Sequence, residues 1–89
     1  MEIDFSIKIL IEDNIGLLIR ILILLNKRNL KINYMNVSKK KYKKYNLNQC
    51  ILHLKCEKKQ LIKLKKIINK LIGVYSIFYN EKKLFNNTI

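Results

Sequence analysis

Ile3, Phe5, Ile7, Ile9 and Ile11 alternate with Asp4, Ser6, Lys8 and Glu12. A period of two with β-branched enrichment predicts a strand whose odd positions face a core. Glu12-Asp13-Asn14 breaks the pattern and offers helix N-cap residues, with Gly16 in the first turn. From Ile15 to about Asn29 the spacing changes to that of a helix. Leu18, Ile21, Leu22 and Leu25 share one stripe, while Ile19 and Ile23 fall outside it. A helix apolar almost all round is expected to be covered on more than one side. Asn29 suits the helix end.

Ile32 to Ser38 predicts a second strand, and Lys39 to Lys44 a lysine-rich turn. Leu47 to Cys56 predicts a third strand. Asn48, Cys50, Leu52, Leu54 and Cys56 lie on one of its faces; Gln49, Ile51, His53 and Lys55 lie on the other. Glu57 to Ile72 carries Leu61, Leu64, Ile68 and Leu71 at helical spacing, with lysines between them, and Gly73 ends that helix. Val74 to Tyr79 predicts the last strand. Residues 80–89 read as a frayed polar tail. The order β-α-β-β-α-β implies an α+β, ferredoxin-like βαββαβ fold. Its antiparallel four-stranded sheet would carry two helices on one face and leave the other face open. We expect one domain over residues 1–80 and a tail over 81–89.

Composition qualifies the charge. The 89 residues hold 19 basic and 6 acidic side chains, a formal net charge of +13. Lys, Ile and Asn number 17, 16 and 11, while Ala and Pro are absent. Lys, Ile, Asn and Tyr have A/T-rich codons, so an A/T-rich genome accounts for much of the basicity. Nucleic acid is therefore not the expected partner. An RNA-binding sheet needs stacking aromatics on its central strands, and the predicted third strand has none. Lys39 to Tyr45 then reads as a solvated hairpin.

No apolar run approaches the ~20 residues of a membrane span, and the acidic N-terminus does not resemble a signal peptide. Cytoplasmic residence is expected. Cys50 and Cys56, six apart on one strand, would lie about 20 Å apart, too far for a disulfide. Two reduced thiols are expected, and with a single histidine they make no zinc site. No nucleophile or carboxylate pair accompanies His53. No catalytic residue and no metal site is assigned, because a chain this short has little room for a cleft.

The first loop is the most informative segment. A strand runs into a helix N-terminus, whose free N–H groups and dipole suit an amino-acid carboxylate, with a glycine to allow close approach. Asp13, Asn14, Ile15, Gly16 and Leu17 are the candidate effector-binding residues of this loop, and Lys31 is added to them only by the resemblance described next. Arg20, Ile19 and Ile23 are the candidate partner contacts.

The run Glu12-Asp13-Asn14-Ile15-Gly16-Leu17-Leu18-Ile19-Arg20, then Asn29-Leu30-Lys31-Ile32-Asn33, resembles the ACT domain. More narrowly, it resembles the small subunit of acetolactate synthase, whose first loop reads Glu-Asn-x-x-Gly-x-Leu-x-Arg. Leu64 to Val74 is similar to that family's closing helix and strand. The resemblance covers residues 3 to 80. It implies a non-catalytic regulatory subunit in branched-chain amino-acid (valine, isoleucine, leucine) biosynthesis. ACT domains of the family pair side by side, so a homodimer is expected, with an effector amino acid at the interface. The partner implied is the large catalytic subunit. Thiamine diphosphate, magnesium and FAD are expected on that subunit, and no cofactor on this chain. The length matches the short, single-domain type. Three positions depart from the pattern. Asp13 stands for asparagine, Asn29 for glycine and Lys31 for asparagine, and an impaired valine response is expected. The alternatives are a stand-alone ACT-like amino-acid sensor and a small basic nucleic-acid-binding domain.

Overall fold

The computed structural model describes residues 1–82. Six elements follow in the order β1 (Ile3–Glu12), α1 (Ile15–Lys27), β2 (Ile32–Tyr42), β3 (Tyr45–Cys56), α2 (Lys58–Asn69) and β4 (Val74–Glu81). The strands form one antiparallel sheet in the order β2-β3-β1-β4. This is the βαββαβ arrangement the pattern predicts.

The register fixes which residues share a face. Phe5, Ile7 and Ile9 lie opposite Leu54, Leu52 and Cys50. All six are buried, together with Leu17, Leu18, Ile21 and Leu25 of α1 and Leu61, Leu64 and Ile68 of α2. Both helices therefore cover the same sheet face. Fully burying each such aliphatic side chain contributes roughly 1.5–3 kcal/mol. The other face carries Ser6, Lys8 and Leu10 beside His53, Ile51 and Gln49, and no element covers it among the described residues.

Two local devices end α1 cleanly. The Asn14 side chain caps the start, accepting from the N–H groups of Gly16 at 2.9 Å and Leu17 at 3.3 Å. At the far end Asn29 adopts a left-handed φ of 55°. Its N–H reaches Asn26 O, and Leu30 N–H reaches Leu25 O. That pair of bonds is a Schellman motif, sealed by the buried Leu25 and Leu30. Asn29 thus sits just beyond the C-cap residue Arg28.

The central hairpin differs from expectation. Residues 39–44 are not a six-residue turn: Lys39 to Tyr42 continue β2, and the turn is only Lys43-Lys44. Lys43 takes φ 57°, a conformation more usual for Gly or Asn. Continued cross-strand pairing of residues 39–42 with 45–48 overrides the poor turn chemistry. The first helix also differs. Ile15, Ile19 and Ile23 are 70%, 49% and 52% exposed, so no element among the described residues covers its outer side. The last strand runs through Asn80 and Glu81, and Lys82 N–H donates to Asp4 O at 2.8 Å. The rest of the expected tail, 83–89, lies outside the described residues.

Candidate functional site

The β1–α1 loop is tied to the β4 side of the molecule by a backbone bond from Glu12 N–H to Gly73 O, 2.9 Å. Gly73 has φ 96°, and a Cβ there would lie 2.8 Å from the Glu12 carboxyl and 2.9 Å from Leu17 Cδ2. Only glycine fits that conformation and that spacing. Gly73 thus packs against both ends of the loop that carries Gly16, through Glu12 and Leu17. Gly16 is less constrained: a Cβ there would stand 3.2 Å from Asn14 Oδ1, the capping atom, a tight contact that a small shift of the cap would relieve.

At this corner Asn14, Gly16, Leu17, Arg20 and Ile72 line an open pocket of about 250 Å³. Four of these residues are among the sequence candidates. Ile72 is not, because the helical pattern shows it only as an outward residue near the end of the second helix. Arg20 supplies the pocket's single charge. Its side of α1 adjoins the exposed Ile15, Ile19 and Ile23 stripe.

The remaining candidates separate. Asp13 turns away from the pocket: its Oδ1 accepts from Asn48 Nδ2 at 3.3 Å, and its Oδ2 lies 3.6 Å from Lys39 Nζ. A paired Asp13 repels a ligand carboxylate less than a free one would. Ile15 is exposed and outside the lining. Lys31 belongs to a different pocket, of about 480 Å³, lined by Leu22, Asn26, Asn29, Leu30, Lys31 and Ile32. That pocket is at the far end of α1, and thirteen helical residues span about 20 Å. Within one protomer Lys31 cannot share a ligand with Gly16.

The helix N-terminus also differs from the free cradle expected. Asn14 Oδ1 already accepts from Gly16 and Leu17, and Leu18 N–H bonds Asn14 O. A carboxylate arriving here competes with the cap and gains chiefly from Arg20.

Elsewhere the chemistry is quiet. Cys50 and Cys56 are free and buried in the core. Burial pushes the Cys50 thiol up from 9.0 to about 11. The Cys56 thiol is also raised, first by burial and then by the charges of Glu2 and Glu57. Such thiols are poor nucleophiles. Among the described residues no three His, Cys, Asp or Glu side chains converge as a metal site. His53 stacks against Tyr34 with ring centres 4.7 Å apart, and its Nδ1 lies 3.2 Å from Lys82 Nζ. No helix among the described residues is long and apolar enough to cross a membrane.

No family model and no curated relative matches the sequence. Solved structures do match the fold. The ACT domain of GTP pyrophosphokinase from Chlorobium tepidum superposes with a TM-score of 0.70 at 18% identity, covering 90% of this chain and 100% of that one. The small subunit of acetolactate synthase from Thermotoga maritima gives 0.72 at 17% identity, over 85% of this chain and 46% of that chain. Ribosomal protein S6 from the same organism gives 0.72 at 15%, over 92% and 89%. At identities this low the matches show a shared ferredoxin-like βαββαβ fold, which ACT domains and a ribosomal protein alike adopt, and function has to be argued from the residues.

Proposed function

We propose that this chain is a non-catalytic regulatory subunit of the ACT type, activating an acetolactate synthase whose catalytic chain is separate. In this reading the catalytic chain carries thiamine diphosphate, magnesium and FAD, and the pair works in the cytoplasm. The observation that carries the reading is the corner pocket: the loop Glu12 to Arg20, which resembles the small-subunit motif, brings Asn14, Gly16, Leu17 and Arg20 onto one small open pocket. The fold shared with an acetolactate synthase small subunit supports it.

The same chain leaves Ile15, Ile19 and Ile23 exposed on α1, and Met35 and Val37 exposed on the free edge strand β2. Their exposure supports a homodimer, which would bury both groups by pairing edge to edge. The capped helix N-terminus supports a weak or absent valine response. Assaying the purified catalytic subunit with and without this chain, across valine concentrations, tests both parts. Activation without strong inhibition is expected. Failure to activate overturns the subunit assignment, and inhibition that requires this chain overturns the statement about valine.

A further inference from the structure

The uncovered sheet face ends in a cluster of tyrosines. The short turn places Tyr42 and Tyr45 opposite each other at the tip of the β2–β3 hairpin. Tyr75 rises beside them from the irregular start of β4, where the β1–β4 register shifts between Leu10 and Ile11. Together with Leu10, Leu47 and Ser76 these rings enclose an open pocket of about 390 Å³. Leu47 is only 4% exposed, yet it does not join the main core. It is the floor of this second, smaller apolar cluster on the opposite face. The three rings stand exposed around it.

The surroundings are basic. Lys43 and Lys44 form the turn, and Lys40 lies directly opposite Leu47 on the pocket's own face. The nearest acid on this face, Glu12, is paired with Leu47 in the register but accepts a bond from Asn14 Nδ2 at 3.4 Å, toward the loop corner. Asp13 is held by Lys39 and Asn48.

We propose that the tyrosine-walled pocket is a socket for one large apolar side chain from an acidic segment of a partner protein. Exposed tyrosines around a desolvated aliphatic floor are the composition of a binding hot spot. The lysines at its edge select a carboxylate-bearing partner. A second copy of this chain, with its own charge of +13, is opposed by the same lysines. A nucleobase is less suited than an aliphatic side chain, because the floor is Leu10 and Leu47 and the hydrogen-bonding edge of a buried base would go largely unpaired. The socket lies on the face away from the helices. It does not depend on the acetolactate synthase reading, because any regulated partner could supply the segment.

The chain has no tryptophan, and three of its five tyrosines line the socket, so intrinsic tyrosine emission reports occupancy. The probe is a synthetic peptide with one central leucine between runs of Asp and Glu, titrated into the full chain. Saturable binding is expected, and replacing that leucine by alanine should weaken it about tenfold or more. Tyr42→Ala with Tyr75→Ala should abolish the preference for leucine, while Tyr34→Ala, outside the socket, should retain it. Lys43→Gln with Lys44→Gln, in an exposed turn where folding is not at stake, should weaken both peptides and flatten the salt dependence. Equal binding of the two peptides, or no saturable binding, overturns the proposal. So does tighter, tyrosine-dependent binding of oligo-dT or oligo-U, which would make the occupant a nucleic acid. Loss of self-association in the tyrosine variants would make it a second copy and also overturns the proposal.

Discussion

The two helices lie in the same layer over the same sheet face, yet they treat solvent differently. α1 buries Leu17, Leu18, Ile21 and Leu25; α2 buries Leu61, Leu64 and Ile68. Behind that similar inner stripe, α2 presents Lys59, Lys63 and Lys66 to water, whereas α1 presents Ile15, Ile19 and Ile23. Folding needs one apolar stripe per helix. The second stripe of α1 packs on no element among the described residues, and under the proposed reading it is the surface a partner would cover.

The largest effects should come from the inner stripes, and they should be alike. Leu25→Ala in α1 and Leu64→Ala in α2 each remove a fully buried side chain and should cost about 2–5 kcal/mol in urea denaturation. A loss under about 1 kcal/mol at either site would break the equivalence.

The corner glycine comes next. Gly73→Ala forces a left-handed φ on alanine and drives its Cβ into Glu12 and Leu17. A cost of about 1–3 kcal/mol is expected. A neutral result by thermal melting would mean that the α2–β4 turn is not braced by the β1–α1 loop.

The caps distinguish the helices more finely. α1 relies on Asn14 Oδ1 for two N–H groups, so Asn14→Ala should cost about 1 kcal/mol. α2 starts at Glu57, whose N–H donates to Gln60 Oε1 at 2.9 Å. There Gln60→Ala removes a single exposed bond and should cost about 0.5 kcal/mol. Amide exchange in the first turn of each helix reports both, and the reverse ranking would contradict this reading of the caps.

The smallest effect on folding should come from the outer stripe, where the comparison is sharpest. Ile19→Lys together with Ile23→Lys should change dilute-chain stability by less than about 0.5 kcal/mol per site, but should eliminate association seen by sedimentation. A large loss of stability that is independent of concentration would mean that the stripe belongs to the fold after all.

Much of the fold was legible because inside and outside are written in short-range periodicity. The odd positions of β1 from Phe5 to Ile11, the even positions of β3 from Asn48 to Cys56, and Leu61, Leu64 and Ile68 are all buried as their spacing requires, while Ile3 at the strand end is half-buried. The site was legible only in part. Asn14, Gly16, Leu17 and Arg20 fall within seven residues, so one loop brings them together. Ile72 and Gly73 reach the same corner from far along the chain, and nothing local marks their meeting with Glu12. Lys31 was grouped with the loop through the family resemblance, but the length of α1 keeps it at the other end.

The sequence by itself determined the six elements, their order and the buried side of β1, β3 and the two helices. These depend on local spacing, and a side chain's direction repeats every two or 3.6 residues whatever the partner is. Only the tertiary structure decided how far the hairpin extends, which tyrosines share a pocket, and that Leu47 is buried on the face opposite the core. Those outcomes depend on the register between strands, both across the β2–β3 hairpin and between β1, β3 and β4, which are farther apart in the chain. A register is fixed by all the cross-strand contacts made at once, and no single segment carries that information.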